Sequence, residues 1–155
     1  MANITPQSLG AELFVKSYDH DPGATTAVLA SPDGGTTPVS MDMRDYSAGG
    51  VMVKPSIVGG AGVTLVRVFA SVDALGATSA TLVRSSGAVA GDSLNDVVWV
   101  EWTAEEIAAL GDAAGVALRY VTIEITMGTN TDEAVFTLVG KPVYPRDGLT
   151  ATAIT

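Results

Sequence analysis

The sequence predicts an all-β domain, a single antiparallel β-sandwich or jelly roll, and three observations carry that expectation. Short apolar runs recur roughly every 8–12 residues between glycine- and proline-bearing turns, the spacing of sandwiches and barrels. Within the clearest runs, apolar and polar residues alternate with a period of two, as strands with one buried face require. Only one segment carries helix punctuation, and nothing follows the strand–helix alternation of a parallel sheet. The 155 residues fit one domain. A chain of this size buries roughly two thirds of its extended surface on folding, enough to hold a core without cross-links. There is no cysteine, which excludes disulfides, thiolate metal sites and thiol nucleophiles together.

Residues 1–16 read as an N-terminal arm, with Phe14 to Tyr18 able to form a first short strand before the turn-forming Asp19-His20-Asp21-Pro22-Gly23. Thr25 to Ala30 is a β-branched and apolar run. It is closed by Ser31-Pro32-Asp33-Gly34-Gly35, whose Pro-Asp-Gly chemistry predicts a tight turn and a hairpin. Val39, Met41 and Met43 alternate with Ser40, Asp42 and Arg44, predicting a half-buried strand. Val51-Met52-Val53 runs to Pro55, which lacks a ladder donor and marks a strand end or an edge. Gly59-Gly60-Ala61-Gly62 is a turn ahead of Val63 to Ser71, a strand apolar on both faces: Val63, Leu65 and Phe69 on one, Val66 and Val68 on the other. Arg67 interrupts the first face and needs a partner or a route to solvent.

Residues 73–96 are rich in Ala, Ser and Gly and offer one strand, Ala80 to Arg84; Val97 to Trp102 is the next. There the period changes. Thr103 is a good N-cap, Glu106 completes a capping box, Trp102 and Ile107 match a hydrophobic staple, and Gly111 is a stop, so a helix is expected over about 104–110. Val121, Ile123, Ile125 and Met127 alternate with Thr122, Glu124 and Thr126 in the clearest strand of the chain. The turn Gly128 to Thr131 then predicts Ala134 to Val139 as its hairpin partner. Lys141-Pro142-Val143-Tyr144-Pro145 is unsuited to a central strand. The sandwich body is expected over 17–145 and an extended tail over 146–155.

Eight Lys and Arg against seventeen Asp and Glu give a formal charge of −9. A surface of that sign repels phosphate backbones and anionic lipid, so neither nucleic acid nor membrane is expected as a partner. Mean hydropathy is positive, +0.35, yet the densest apolar run, Val97 to Val100, is far short of the roughly 20 residues of a spanning helix. The opening Met-Ala-Asn-Ile-Thr-Pro has neither the basic nor the apolar region of a secretory signal, so the chain is expected to stay where it is made.

Motifs that could carry chemistry fail on context. Gly91-Asp92-Ser93-Leu94 spells the nucleophile block of the GDSL esterases and lipases. That block needs an α/β fold and a histidine near the C-terminus to take the serine proton. The one histidine is His20, far upstream, so Ser93 is expected in a polar turn. His20 between Asp19 and Asp21 is expected in a solvated turn, because one histidine without cysteine builds no zinc site and the calcium-loop pattern is missing. Gly60-Ala61-Gly62 precedes a strand, whereas phosphate binding wants a helix N-terminus. Glu105 and Glu106 suit the positive end of a helix dipole, and Asp42 and Asp45 beside Arg44 suit local surface ion pairs. Trp99 and Trp102, three apart in one strand, point to opposite faces, leaving Trp99 as a contact residue. No catalytic, cofactor or metal site is expected, and no enzyme activity.

Ser40-Met41-Asp42-Met43-Arg44-Asp45-Tyr46, the Val-rich strand at 51–53 and Val63 to Ser71 together resemble small structural proteins of tailed bacteriophages. Arg119 to Thr126, the polar turn, the apolar strand and Gly140-Lys141-Pro142-Val143-Tyr144-Pro145 are similar to the closing part of the same proteins, so the likeness covers about residues 39–145. It implies a capsid decoration or cement protein, a sandwich or jelly roll bound outside the capsid shell. Its partners would be the major capsid protein and further copies of itself, as a homodimer or homotrimer. On that view the two ends of the chain dock, with Phe14, Tyr18, Trp99, Tyr144 and Arg146 as partner-binding residues. The alternative is a tail- or fibre-associated sandwich that stacks host-surface carbohydrate on Trp99, Tyr18 and Tyr46.

Overall fold

A computed structural model describes residues 14–21, 28–31 and 37–143. They form β1 (Phe14–His20), β2 (Val28–Leu29), β3 (Ser40–Asp42), β4 (Tyr46–Ile57), β5 (Val63–Ser71), β6 (Thr81–Ser85), β7 (Val98–Thr103), α1 (Ala104–Ala114), β8 (Tyr120–Met127) and β9 (Glu133–Pro142). The strands build two antiparallel sheets. One has the order β1-β9-β4-β7; the other has β2-β8-β5-β6, with β3 also on β8. β2 pairs with Ile125 and Glu124, and β3 with residues 120–122, so the two lie in line along one edge of β8. Counted as a single interrupted strand, they leave eight strands, and every connection except β5–β6 passes from one sheet to the other. That is the winding of a jelly roll.

The pairing corrects two expected hairpins. The run ending at Ala30 does not fold back on β3, because both lie along β8; a bond from Val39 N to Ala30 O joins them. The turn residues 32–35 lie outside the described residues. Nor is β9 the hairpin partner of β8. β8 pairs with β5 while β9 lies between β1 and β4, so residues 128–132 form a corner between layers. Alternation fits either arrangement, since it fixes which face of a strand is buried and not its neighbour.

The core fills the space between the sheets. Val51 and Val53 of β4, Phe136 and Leu138 of β9, and Val66 and Val68 of β5 meet Val121, Ile123, Ile125 and Met127 of β8, all buried. A bulge between Val63 and Leu65 corrects the facing expected for β5: Val63 shares the inner side with Val66 and Val68, while Leu65, Arg67 and Phe69 take the outer side. Arg67 has the partner it needs, Glu124 directly across the ladder, and its guanidinium lies 5.5 Å from the centre of the Phe69 ring. Pro55 sits where β4 has outrun β7, which pairs only as far as Val53. Lys141 and Pro142 do end a central strand, contrary to expectation. They lie beyond the last β1 pair, Phe14 with Gly140, where a missing N–H breaks no β1 bond. The same register places residues 14–16, expected in the arm, within the sheet.

The helix starts where the capping box puts it: Glu106 N donates to Thr103 Oγ1 at 3.2 Å and Thr103 N to the Glu106 carboxylate at 2.9 Å. Trp102 and Ile107, the staple pair, are both buried. It runs past Gly111 to Ala114 and ends at Gly115, whose φ of 68° is the left-handed cap. Gly111 is instead buried within the helix. An Arg84–Glu106 ion pair ties β6 to the first turn of α1.

One end of the sandwich is fastened by a single carboxylate. Buried Asp132 accepts backbone N–H bonds from Gly59 (2.6 Å), Gly60 (3.0 Å), Gly62 (3.0 Å) and Thr129 (2.7 Å). The expected glycine turn is therefore a nest of amide donors filled by an anion of the same chain. Burial alone would raise the Asp132 pKa, but its hydrogen bonds to Gly59, Gly60 and Thr129 outweigh that and hold it below the usual carboxylate range. A second aspartate, Asp73, accepts from the amides of Leu75, Ala77 and Thr78; the Thr78 side chain first, and then these amide bonds, lower its pKa to about 2.

Candidate interaction surface

The four-stranded sheet turns one face to the core and the other outward. Cross-strand register sets Ser17, Thr137, Met52 and Trp99 in one outward row and Val15, Val139, Gly50 and Glu101 in the next. Ser17 and Thr137 share a hydroxyl–hydroxyl bond at 2.7 Å, so the polar pair at the centre of the face is already satisfied. Val15 and Trp99 are exposed. The Phe14–Gly140 pair also sets where the chain leaves: the segments before Phe14 and after Pro142 depart from the same end of adjacent strands.

The residues expected to bind a partner divide sharply. Trp99 stands outward on β7, 46% exposed, while Trp102 on the opposite face is buried. The Trp99 ring lies over Gly50, where an added Cβ would come within 2.7 Å of it, so glycine is what lets the indole lie against the sheet. Tyr18 is half-buried and engaged on its own sheet: its ring stacks on Phe136 (5.1 Å between centroids, 20°) and carries the Lys16 ammonium 4.9 Å from its centre. Tyr46 is buried against Gly140. Of the three rings expected to stack sugar, only that of Trp99 is exposed. Phe14 opens β1, though its side chain lies outside what is described, as do Tyr144 and Arg146.

Two clefts open on opposite rims of the sandwich. At the β1–β3 rim a cleft of about 220 Å³ is lined by Tyr18, Val39, Met41, Asp42, Tyr46 and Leu138. Asp45 borders it as well; of the two carboxylates that of Asp42 is occupied, because the Arg119 guanidinium forks onto both its oxygens while stacking 4.5 Å from the Tyr120 ring centre. Arg44 adds a pair to the same carboxylate at 3.3 Å, the local ion pair expected there. At the other rim an open groove of about 360 Å³ runs between the start of β7 and the segment Ser86–Gly91. Val89, Val97, Val98 and Trp99 supply its apolar lining and Asp96 its charge. Val97 and nearby Leu94 are each 51% exposed. Trp99 stands out in the sequence, whereas this groove does not. The available signal was charge: between Arg84 and Arg119 stand Asp92, Asp96, Glu101, Glu105, Glu106 and Asp112, with no lysine or arginine.

Ser93 lies in the expected polar turn, exposed. Its Oγ accepts from Asn95 N at 3.3 Å and its N–H donates to Asp96 at 2.9 Å. His20 departs from expectation. The β1 ladder continues through His20–Ala134, so its side chain stays on the inner face, fully buried, edge-on to Phe136 at 6.2 Å. Desolvation lowers its pKa, against the opposing pull of the Ser31 backbone and the Asp21 charge. The folded state therefore resists a proton that the unfolded chain accepts below about pH 6.5. Stability is expected to fall as pH drops below that value, by at most about 1.4 kcal/mol per pH unit. Urea melts between pH 7.5 and 5 check this: a His20→Met variant should show a flatter profile, and an unchanged slope would contradict the assignment.

Among the described residues no helix is long and apolar enough to cross a membrane. No known family model matches the chain, and no curated protein matches it.

Proposed function

We propose that this chain is a non-enzymatic virion structural protein that binds the outside of a tailed-phage capsid and stabilises the shell by bridging major capsid subunits. The observation that carries the reading is the Phe14–Gly140 pairing, which sends both terminal segments out at one end of one sheet. A rigid body whose two terminal segments are attached at one place can hold two neighbours at once. Each weak contact then raises the effective concentration of the other. The jelly-roll winding is compatible with the role, being a common architecture of capsid domains, although a fold alone does not name a function. Self-association as a dimer or trimer would place such a body on a symmetry axis of the shell.

Truncation tests the reading. Deleting residues 1–13 and 144–155 leaves β1 and β9 whole, so the body should fold. Co-sedimentation with purified shells should be lost in the double deletion and weakened in each single one, and the shells should rupture at lower temperature. Full binding and full protection by the doubly truncated body would sink the proposal.

A further inference from the structure

We infer that the groove beside Trp99 receives an extended, lysine- or arginine-bearing peptide segment of a partner chain, laid along the free edge of β7 as an added strand. Three observations converge on it. β7 pairs with β4 and, among the described residues, with no other strand, so its second edge presents unpaired backbone donors and acceptors. Val97 and Trp99, which line the groove, and Leu94 a few residues before them are exposed, and the Trp99 ring lies against the sheet over Gly50 of β4. The stretch from residue 85 to 118 carries six acidic residues, of which Glu106 is paired with Arg84, and no lysine or arginine; Lys54 of β4 is the cation next in register beyond the Val53–Val98 pair.

These features select the occupant. A free edge takes main-chain hydrogen bonds from an extended peptide, and alternate side chains of that peptide fall into the groove. Val97 and Trp99 suit an apolar side chain there, while Glu101, outward on the same strand, suits a cation two residues along. A second copy of this chain would bring its own excess of acid to an acidic rim, and nucleic acid would be repelled in the same way. The inference stands apart from the capsid reading, since a peptide segment of this chemistry satisfies it whatever particle or protein it belongs to.

The test uses the full chain and a fluorescein-labelled peptide, Lys-Val-Thr-Val-Lys-Val-Thr. One control replaces each valine by glycine at the same charge; a second is N-methylated on alternate amides. Anisotropy should report saturable binding of the first peptide that weakens with added salt. Both controls should bind far more weakly, and hydrogen exchange should slow in Val98–Thr103. Trp99→Ala should reduce the affinity about tenfold or more, and Glu101→Gln should reduce it less. Both residues are exposed, so thermal melts of the variants should match the parent. Equal binding of either control, unchanged affinity in Trp99→Ala, or no slowing of exchange in β7 would each overturn the inference.

Discussion

Replacing Asp132 with alanine is expected to destabilise the fold by about 3–5 kcal/mol, a large fraction of the 5–15 kcal/mol that holds a typical domain together. The variant removes one side chain but strands four backbone N–H groups, those of Gly59, Gly60, Gly62 and Thr129. Hydrogen bonds to a charged acceptor contribute more than neutral ones, and the cost of leaving donors unpaired adds to their loss. Asp132→Asn sharpens the test. One carboxylate oxygen takes Gly59 and Gly60 while the other takes Gly62 and Thr129. An asparagine amide must therefore point its own donor at one pair of donors, and a loss of roughly half the alanine value is expected. Thermal melts at neutral pH measure both; a domain of this size should lose on the order of 10 °C in Asp132→Ala. The pH dependence has a defined sign. With its folded pKa depressed, Asp132 contributes stability that is complete above the unfolded value of 3.8 and is lost as pH falls through the folded one. The acid limb below pH 4 should thus be shallower in Asp132→Asn than in the parent, while the His20 slope nearer pH 6 should persist. A melt of Asp132→Ala indistinguishable from the parent would show that the two loops hold together without the carboxylate.

Trp102→Ala is expected to cost about 3–5 kcal/mol, the range for emptying a buried aromatic site. Trp102, near the end of β7, and Ile107, in the first turns of α1, are among the largest fully buried side chains and belong to the same core. The opposite perturbation comes from the other side of the ring. A Cβ added at Gly49 would fall 2.5 Å from the Trp102 six-membered ring, and a buried ring has nowhere to retreat. Gly49→Ala should therefore destabilise by roughly 1–3 kcal/mol through overpacking. The indole N–H has no hydrogen-bond partner, so Trp102→Phe removes an unsatisfied donor as it vacates that space. The double variant Gly49→Ala/Trp102→Phe should be more stable than the sum of the two single changes predicts. Strict additivity in chemical denaturation would show that the ring and the added methyl do not meet.

Local physics was legible in the sequence and long-range pairing was not. The capping box at Thr103 and Glu106 and the inward set of β8 both depend on neighbours within a few residues, and both stand as expected. The opposite facing of Trp99 and Trp102 followed from odd spacing alone. What failed depended on partners far along the chain. β8 and β9 have the look of a hairpin until Asp132 is seen to reach back some 70 residues to Gly59–Gly62. Tyr18 looked free because Phe136, on which it stacks, lies more than a hundred residues away. His20 looked solvated because two aspartates and a Pro-Gly pair flank it, whereas its burial is imposed by the ladder to β9. The groove was missed for another reason: it lies between two segments, and no single stretch of sequence spells it.

The position of β9 also governs when the molecule can first exist. It lies between β1 and β4, so those two strands have nothing to join them until residues Glu133–Pro142 have left the ribosome. Closure of this sheet therefore waits for β9, and the long loops that must shut before those contacts form slow it. Until then the inward residues of β5 and β8 lack the cover of β9, and the net charge of −9 works against association of copies.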